Sequence, residues 1–177
     1  MNRKGFTLIE LLAVIVVLAL ILVISFPNFL DVLKNSKLKN EQIFVDRLSQ
    51  TIDSYVSLNS DEILFVAKEE SGTKTGSDGT SGKVNLYEGT ITVQKIIDDK
   101  IISEEDYINP GNKDYINLDT NRKGCNPDAI IEVYRDSDYV YCHKVKKDDL
   151  GCLSKEFKDS INGDYVVDTC VWTLDEW

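Results

Sequence analysis

Positive charge is in short supply in this sequence: 20 Lys and Arg stand against 30 Asp and Glu. The imbalance is uneven. Residues 1–26 carry only Arg3, Lys4 and Glu10, so the rest of the chain holds 18 basic and 29 acidic groups, a net of −11. An acidic body excludes a general binder of nucleic-acid backbones, because that affinity comes mostly from Lys and Arg neutralising phosphates. Histidine is scarcer still, with His143 the single one. Cys142 precedes it, and adjacent residues on a strand face opposite ways, which argues against a dyad of these two. No catalytic constellation is present, so neither an enzyme nor a cofactor is expected. Proline occurs three times in the chain, and neither Gly nor Pro interrupts Phe6–Phe26. Nothing in that stretch breaks a helix.

What the stretch has instead is hydrocarbon. Every residue from Leu11 to Ile24 is apolar, and Thr7, Glu10 and Ser25 are the polar interruptions of the 21-residue run Phe6–Phe26. As a helix at ~1.5 Å per residue it measures about 31 Å, close to the ~30 Å hydrocarbon thickness of a bilayer. In lipid the backbone must bond within the segment, which selects helix despite the many Val and Ile. A secretory signal peptide does not fit, because the apolar core is too long and Ile24–Asn28 offers no small-x-small cleavage site. A plain membrane anchor explains the run but not Glu10. A charged carboxylate at the centre of a span costs roughly 2.5–3.5 kcal/mol, and less near the edge.

The run Lys4-Gly5-Phe6-Thr7-Leu8-Ile9-Glu10-Leu11-Leu12 resembles the processing motif of type IV prepilins, a class III signal. The resemblance covers residues 3–27 continuously; beyond them only the layout is similar. It implies a basic leader, residues 1–5, removed by prepilin peptidase between Gly5 and Phe6. It implies N-methylation of the new Phe6 terminus, with Glu10 as the fifth residue of the mature chain. Pro27 falls where many members of the family have a proline that kinks or loosens the helix. Gly5 suits the cut because a residue without Cβ lets a protease approach the backbone closely.

The same rule makes physical sense. Cleavage creates a cation on Phe6, one turn from Glu10, at a helix start where the macrodipole favours an anion. In a helical bundle, Glu10 of one subunit meets the Phe6 amine of a neighbour and sets the axial register, the best-attested use of a buried ion pair. The implied partners are further copies and other pilins, the prepilin peptidase, an ATPase-driven assembly platform, and the membrane before assembly. The implied location is a single-pass cell-membrane precursor and then an extracellular pilus, serving adhesion, twitching motility, DNA uptake or secretion. A pseudopilin of a type II secretion or competence pseudopilus shares the motif. A single-pass anchored binding protein that never polymerises is the rival of another class. Lys34, Lys37 and Lys39 beyond the span outnumber Arg3 and Lys4, so a cytoplasmic N-terminus rests on the motif and not on the charge rule.

The expected fold is α+β: a long N-terminal helix, its first half transmembrane, packed on a C-terminal antiparallel sheet. The expected divisions are leader 1–5, membrane and filament-core helix 6–27, amphipathic half-helix 28–58 and globular head 59–177. Phe44, Leu48, Ile52, Tyr55 and Val56 form an apolar stripe at spacings of three and four. Lys34–Glu41 reads as polar all round. Ser71–Lys83 is a Gly/Ser/Thr loop that lacks the Gly-x-x-x-x-Gly-Lys-Ser/Thr spacing of a phosphate cradle. Thr90–Ile97 reads as a short helix with Thr90 as N-cap, followed by core residues Ile96, Ile97, Ile101 and Ile102. Asn109–Asn112 is a turn. Ala129–Tyr134 and Tyr139–Val145 make a hairpin, with Tyr165–Val167 and Val171–Leu174 as later strands and Trp172 in the core. Trp177 and its acidic neighbours are exposed.

Cys125, Cys142, Cys152 and Cys170 lie in the last third of the chain, outside the expected membrane span. An even count in an exported domain points to disulfides, with three pairings open. Cys152–Cys170 is favoured, since it resembles the C-terminal disulfide loop common in pilins and would stabilise by about 3 kcal/mol. Cys125–Cys142 would then remain. Structural zinc on Cys142, His143, Cys152 and Cys170 lacks a Cys-x-x-Cys pair. Asp159–Asp164 lacks the spacing of an EF-hand and reads as a solvated turn. No metal is expected.

Overall fold

A computed structural model describes residues 7–75, 81–103, 107, 116–117, 122–170 and 172–174; the side chains of 24–29, 69–72, 74–75, 81, 116–117, 122–123 and 172–174 lie outside that description. The expectations for Gly5, Phe6, the turn Asn109–Asn112, the Pro27 and Trp172 side chains and Trp177 fall outside it as well.

Contacts divide the chain into two compact units, Met1–Lys39 and Asn40–Trp177. One helix, α1 (Leu8–Asn59), contributes to both. It continues through Pro27, because one proline removes a single i→i−4 bond while the neighbouring turns keep theirs. In the first unit the apolar run is bare: Leu8 is 83 % exposed and Val23 73 %. Among the described residues no helix is long and apolar enough to cross a membrane. The described side chains of the run stop at Val23, short of the ~20 residues that a span needs.

The second unit is α+β. A six-stranded antiparallel sheet has the order β7-β6-β5-β2-β1-β8, formed by β1 (Val66–Thr75), β2 (Ser81–Thr92), β5 (Ile130–Asp136), β6 (Tyr141–Lys146), β7 (Tyr165–Asp168) and β8 (Trp172–Leu174). A two-stranded piece, β3 (Ile116–Asn117) and β4 (Arg122–Lys123), stands apart. The apolar stripe of α1 is core as expected, with Phe44, Leu48, Ile52, Tyr55 and Val56 all buried. Ile131, Val133 and Val145 bury the inner face of the sheet. The outer face carries a smaller cluster of Leu86, Tyr134 and Cys142. Fully burying each large apolar side chain stabilises by about 1.5–3 kcal/mol, so the α1–sheet layer dominates the stability of this unit. Gly89 lets the chain after α1 cross β2 closely: a Cβ there would lie 2.6 Å from Ile63 Cγ2.

Three local expectations need correction. The Gly/Ser/Thr segment is mostly strand, since β1 runs to Thr75 and β2 starts at Ser81. A ladder needs backbone groups and not large side chains, and Gly72–Lys74 is bonded on a second side by β8. The short helix, α2 (Val93–Asp98), is capped by Thr92 and not Thr90. Thr90, Ile91 and Thr92 are held in the sheet against Glu132, Ile131 and Ile130, so the helix starts where that pairing ends. Of the four isoleucines, Ile96 is fully buried, whereas Ile101 is 38 % exposed.

The cysteine pairing also differs from the favoured one. The disulfides are Cys125–Cys152 and Cys142–Cys170. Sheet register decides the second: Lys144 stands opposite Asp168, and Thr169 N–H donates to His143 O at 3.0 Å. Two residues back on one strand and two forward on the other place Cys142 and Cys170 face to face. For the first, Asn126 N–H donates to Leu150 O at 2.9 Å, which aligns the segments on which Cys125 and Cys152 sit. No described cysteine is left free to bind zinc.

Candidate functional site

The start of α1 is a built N-terminus. Thr7 is the residue before Leu8, and its hydroxyl accepts from Glu10 N–H at 3.4 Å. The Glu10 carboxylate reaches back: Oε2 accepts from Thr7 N–H at 2.9 Å and from the Thr7 hydroxyl at 2.9 Å. This is a capping box, Thr-x-x-Glu, in which two orphan helix donors are satisfied reciprocally. Leu11 N–H donates to Thr7 O at 3.2 Å and closes the first turn. The spacing was legible in the sequence, yet the motif reading treated Glu10 only as a charge awaiting a partner. Both contacts fall on Oε2; among the described residues none is recorded for Oε1.

The helix is apolar all round behind this cap, a pattern that is stable only when buried in lipid or among other chains. The structure therefore brings together Thr7 and Glu10 at the head of an uncovered apolar helix. Pro27 lies further along the same helix, and the four cysteines all lie in the other unit.

In that other unit, α1 is fastened by two polar contacts that the sequence reading missed. Glu41 was assigned to a polar stretch but is fully buried. Its Oε1 accepts from Ser154 N–H at 2.9 Å and its Oε2 from the Ser154 hydroxyl at 2.6 Å. Ser154 is the N-cap of α3 (Lys155–Ser160) and accepts from Phe157 N–H. A capping box would normally carry an acid at position 157. Phe157 is buried there instead, and Glu41 supplies the missing carboxylate from α1. Hydrogen bonds to a charged group contribute about 1.5–3 kcal/mol each.

The second contact is His143, 1 % exposed on β6. Its Nδ1 lies 3.1 Å from Asp53 Oδ1 and its Nε2 lies 3.2 Å from Ser49 Oγ. Thr169 Oγ1 accepts from His143 N–H at 2.8 Å. The connectivity is that of a Ser–His–Asp relay. Ser49 lies inside α1, however, where backbone N–H groups are bonded four residues back and supply no oxyanion donors. The cluster pins the helix to the sheet. Burial lowers the pKa of His143, and Asp53 and Asp168 oppose that shift without reversing it. The folded form thus binds this proton less readily than the unfolded chain. Its contribution to stability is complete above ~6.5 and is lost as pH falls from there through the folded value. Thermal midpoints of the wild type and His143→Gln, measured from pH 7 to pH 5, should converge; parallel curves would show that His143 does not carry the acid sensitivity.

At the far end of α1, Tyr55 Oη donates to Asp99 Oδ2 at 2.8 Å and Lys95 Nζ lies 2.8 Å from Asp99 Oδ2. Burial and the Asp99 carboxylate push the Tyr55 hydroxyl up to about 12, so it stays a donor at any physiological pH.

Residues 1–26 match the family model described as the prokaryotic N-terminal methylation motif. That motif is the class III signal of type IV pilins and pseudopilins. No curated protein and no solved structure matches the chain.

Proposed function

We propose that this chain, which bears a class III signal ahead of a long helix and an antiparallel sheet, is a structural subunit of a type IV pilus. Prepilin peptidase removes residues 1–5 after Gly5, and Phe6 is N-methylated. The precursor is held in the cell membrane by residues 6–27 until the assembly platform moves it into a filament. The apolar run then packs against other copies, Pro27 eases the helix where it leaves the core, and residues 59–177 form the outward head. The observation that carries this reading is the capped helix start: an apolar helix with its one acid, Glu10, held at its third position.

The methyl group leaves the Phe6 amine charged, so the mature end remains a cation able to answer Glu10. Phe6 and Glu10 are therefore the assembly pair, with Glu10 exchanging its Thr7 contacts for a neighbour's amine or sharing its carboxylate between them. Mass spectrometry of the mature N-terminus is the direct test. A methylated Phe6 is expected; an intact Met1 would instead identify a plain anchor.

A further inference from the structure

The inner face of the sheet ends in a cluster that assembly does not use. Sheet register puts Tyr87, Arg135 and Tyr141 in one cross-strand row. The guanidinium carbon of Arg135 lies 4.6 Å from the ring centres of Tyr87 and Tyr139 and 5.1 Å from that of Phe65. Phe65 in turn packs on Tyr141, ring centres 5.9 Å apart.

Two further observations set the cluster apart. Tyr139 has φ of 61°, a left-handed conformation that costs a residue with Cβ about 1–2 kcal/mol. The turn enforces it: Asp136 Oδ1 accepts from Asp138 N–H at 2.9 Å and Val140 N–H at 2.8 Å, and Tyr139 N–H donates to Asp136 O at 3.2 Å. The strain sets a ring that is 67 % exposed over the guanidinium. Second, Arg135 Nε is buried without a hydrogen-bond partner. Nearby cations on the sheet are answered by carboxylates: Lys68 by Glu88, Lys144 by Asp168 and Lys146 by Glu132. In a chain of net charge −10, Arg135 meets rings and, among the described residues, no acid.

Rings stabilise the faces of a guanidinium but cannot satisfy its in-plane N–H groups, which fit a carboxylate in a forked pair. The exposed Tyr139 ring beside that edge offers a flat surface to the C–H face of a pyranose. We propose that Arg135, Tyr139, Tyr87 and Phe65 form a binding site for a carboxylated saccharide, a sugar ring bearing an acid group. The site belongs to the head and does not depend on whether the chain polymerises. The acid sugar is either a free monosaccharide or one unit of a surface polysaccharide.

The test uses the full-length chain in detergent micelles, followed by NMR of the Arg135 side-chain N–H and the Tyr139 ring. The probes are glucuronate, an oligogalacturonate and a neutral oligosaccharide of equal length. Saturable shifts are expected with both acidic probes and not with the neutral one. An oligomer at least about tenfold tighter than the monosaccharide identifies a polysaccharide as the source; equal affinities identify the free sugar. Tyr139→Leu and Arg135→Lys should each weaken binding by about tenfold or more, with both disulfides and the thermal midpoint retained. Equal shifts with the neutral sugar, an unaffected Arg135→Lys, or no saturable shift at millimolar probe would overturn the proposal. So would Arg135 shifts that track protein concentration alone, since those assign the guanidinium to a second copy's carboxylate.

Discussion

A Glu10→Gln subunit is expected to be processed and methylated normally and to yield few filaments. The reason lies in the two things that Glu10 does. It caps α1 through Thr7, and a glutamine at the same position of a capping box does this nearly as well. It also carries the charge that the proposed register contact needs, and glutamine does not. Removing one partner of a buried ion pair costs about 3–5 kcal/mol, which is over ~100-fold in an assembly equilibrium. Glu10→Val loses both roles and should likewise be processed but assemble poorly. The informative comparison is therefore Glu10→Gln against Thr7→Val, which spares the charge and loses a cap worth ~1 kcal/mol. Sheared filament per unit of mature membrane-held subunit is the readout. Wild-type yields from Glu10→Gln would mean that Glu10 only caps the helix, and the register role would be lost.

The second large effect concerns the head. Replacing Cys125 and Cys152 together by Ser should lower its stability by about 3–4 kcal/mol, and replacing Cys142 and Cys170 together by a similar amount. The two bridged loops interleave, with separations of 27 and 28 residues, so each bridge still restrains the unfolded chain when the other is removed. The mixed pair Cys152→Ser with Cys170→Ser should be worse than either, because it breaks both bridges and strands two thiols. Denaturant titration of the three variants orders them. A mixed variant no worse than the others would contradict the pairing, and peptide mapping of the oxidised wild type would then reveal the actual one.

These two effects also mark where reading by residue succeeded and where it stopped. The helix start was legible because its determinants are local. Thr7, Glu10 and the unbroken apolar run all lie within a few turns of one another, and their chemistry does not depend on what the rest of the chain does. The stripe from Phe44 to Val56 and the hairpin around Arg135–Asp138 were legible for the same reason: periodicity declares a buried face before its partner is known. The Gly/Ser/Thr segment misled because composition reports weak preference, whereas strand pairing with β2 and β8 supplies the missing energy from a distance.

Glu41, His143 and the cysteine pairs were illegible for a different reason. A carboxylate in a polar stretch looks solvated until the N-cap of another helix, 113 residues later, is folded against it. The sequence by itself determined the signal, the capped apolar helix and the α+β class, since each follows from neighbours along the chain. Only the tertiary structure decided which acid is buried, which cysteines meet and which arginine faces rings. Those outcomes depend on the register of strands far apart in sequence, where a shift of one residue turns every side chain to the opposite face.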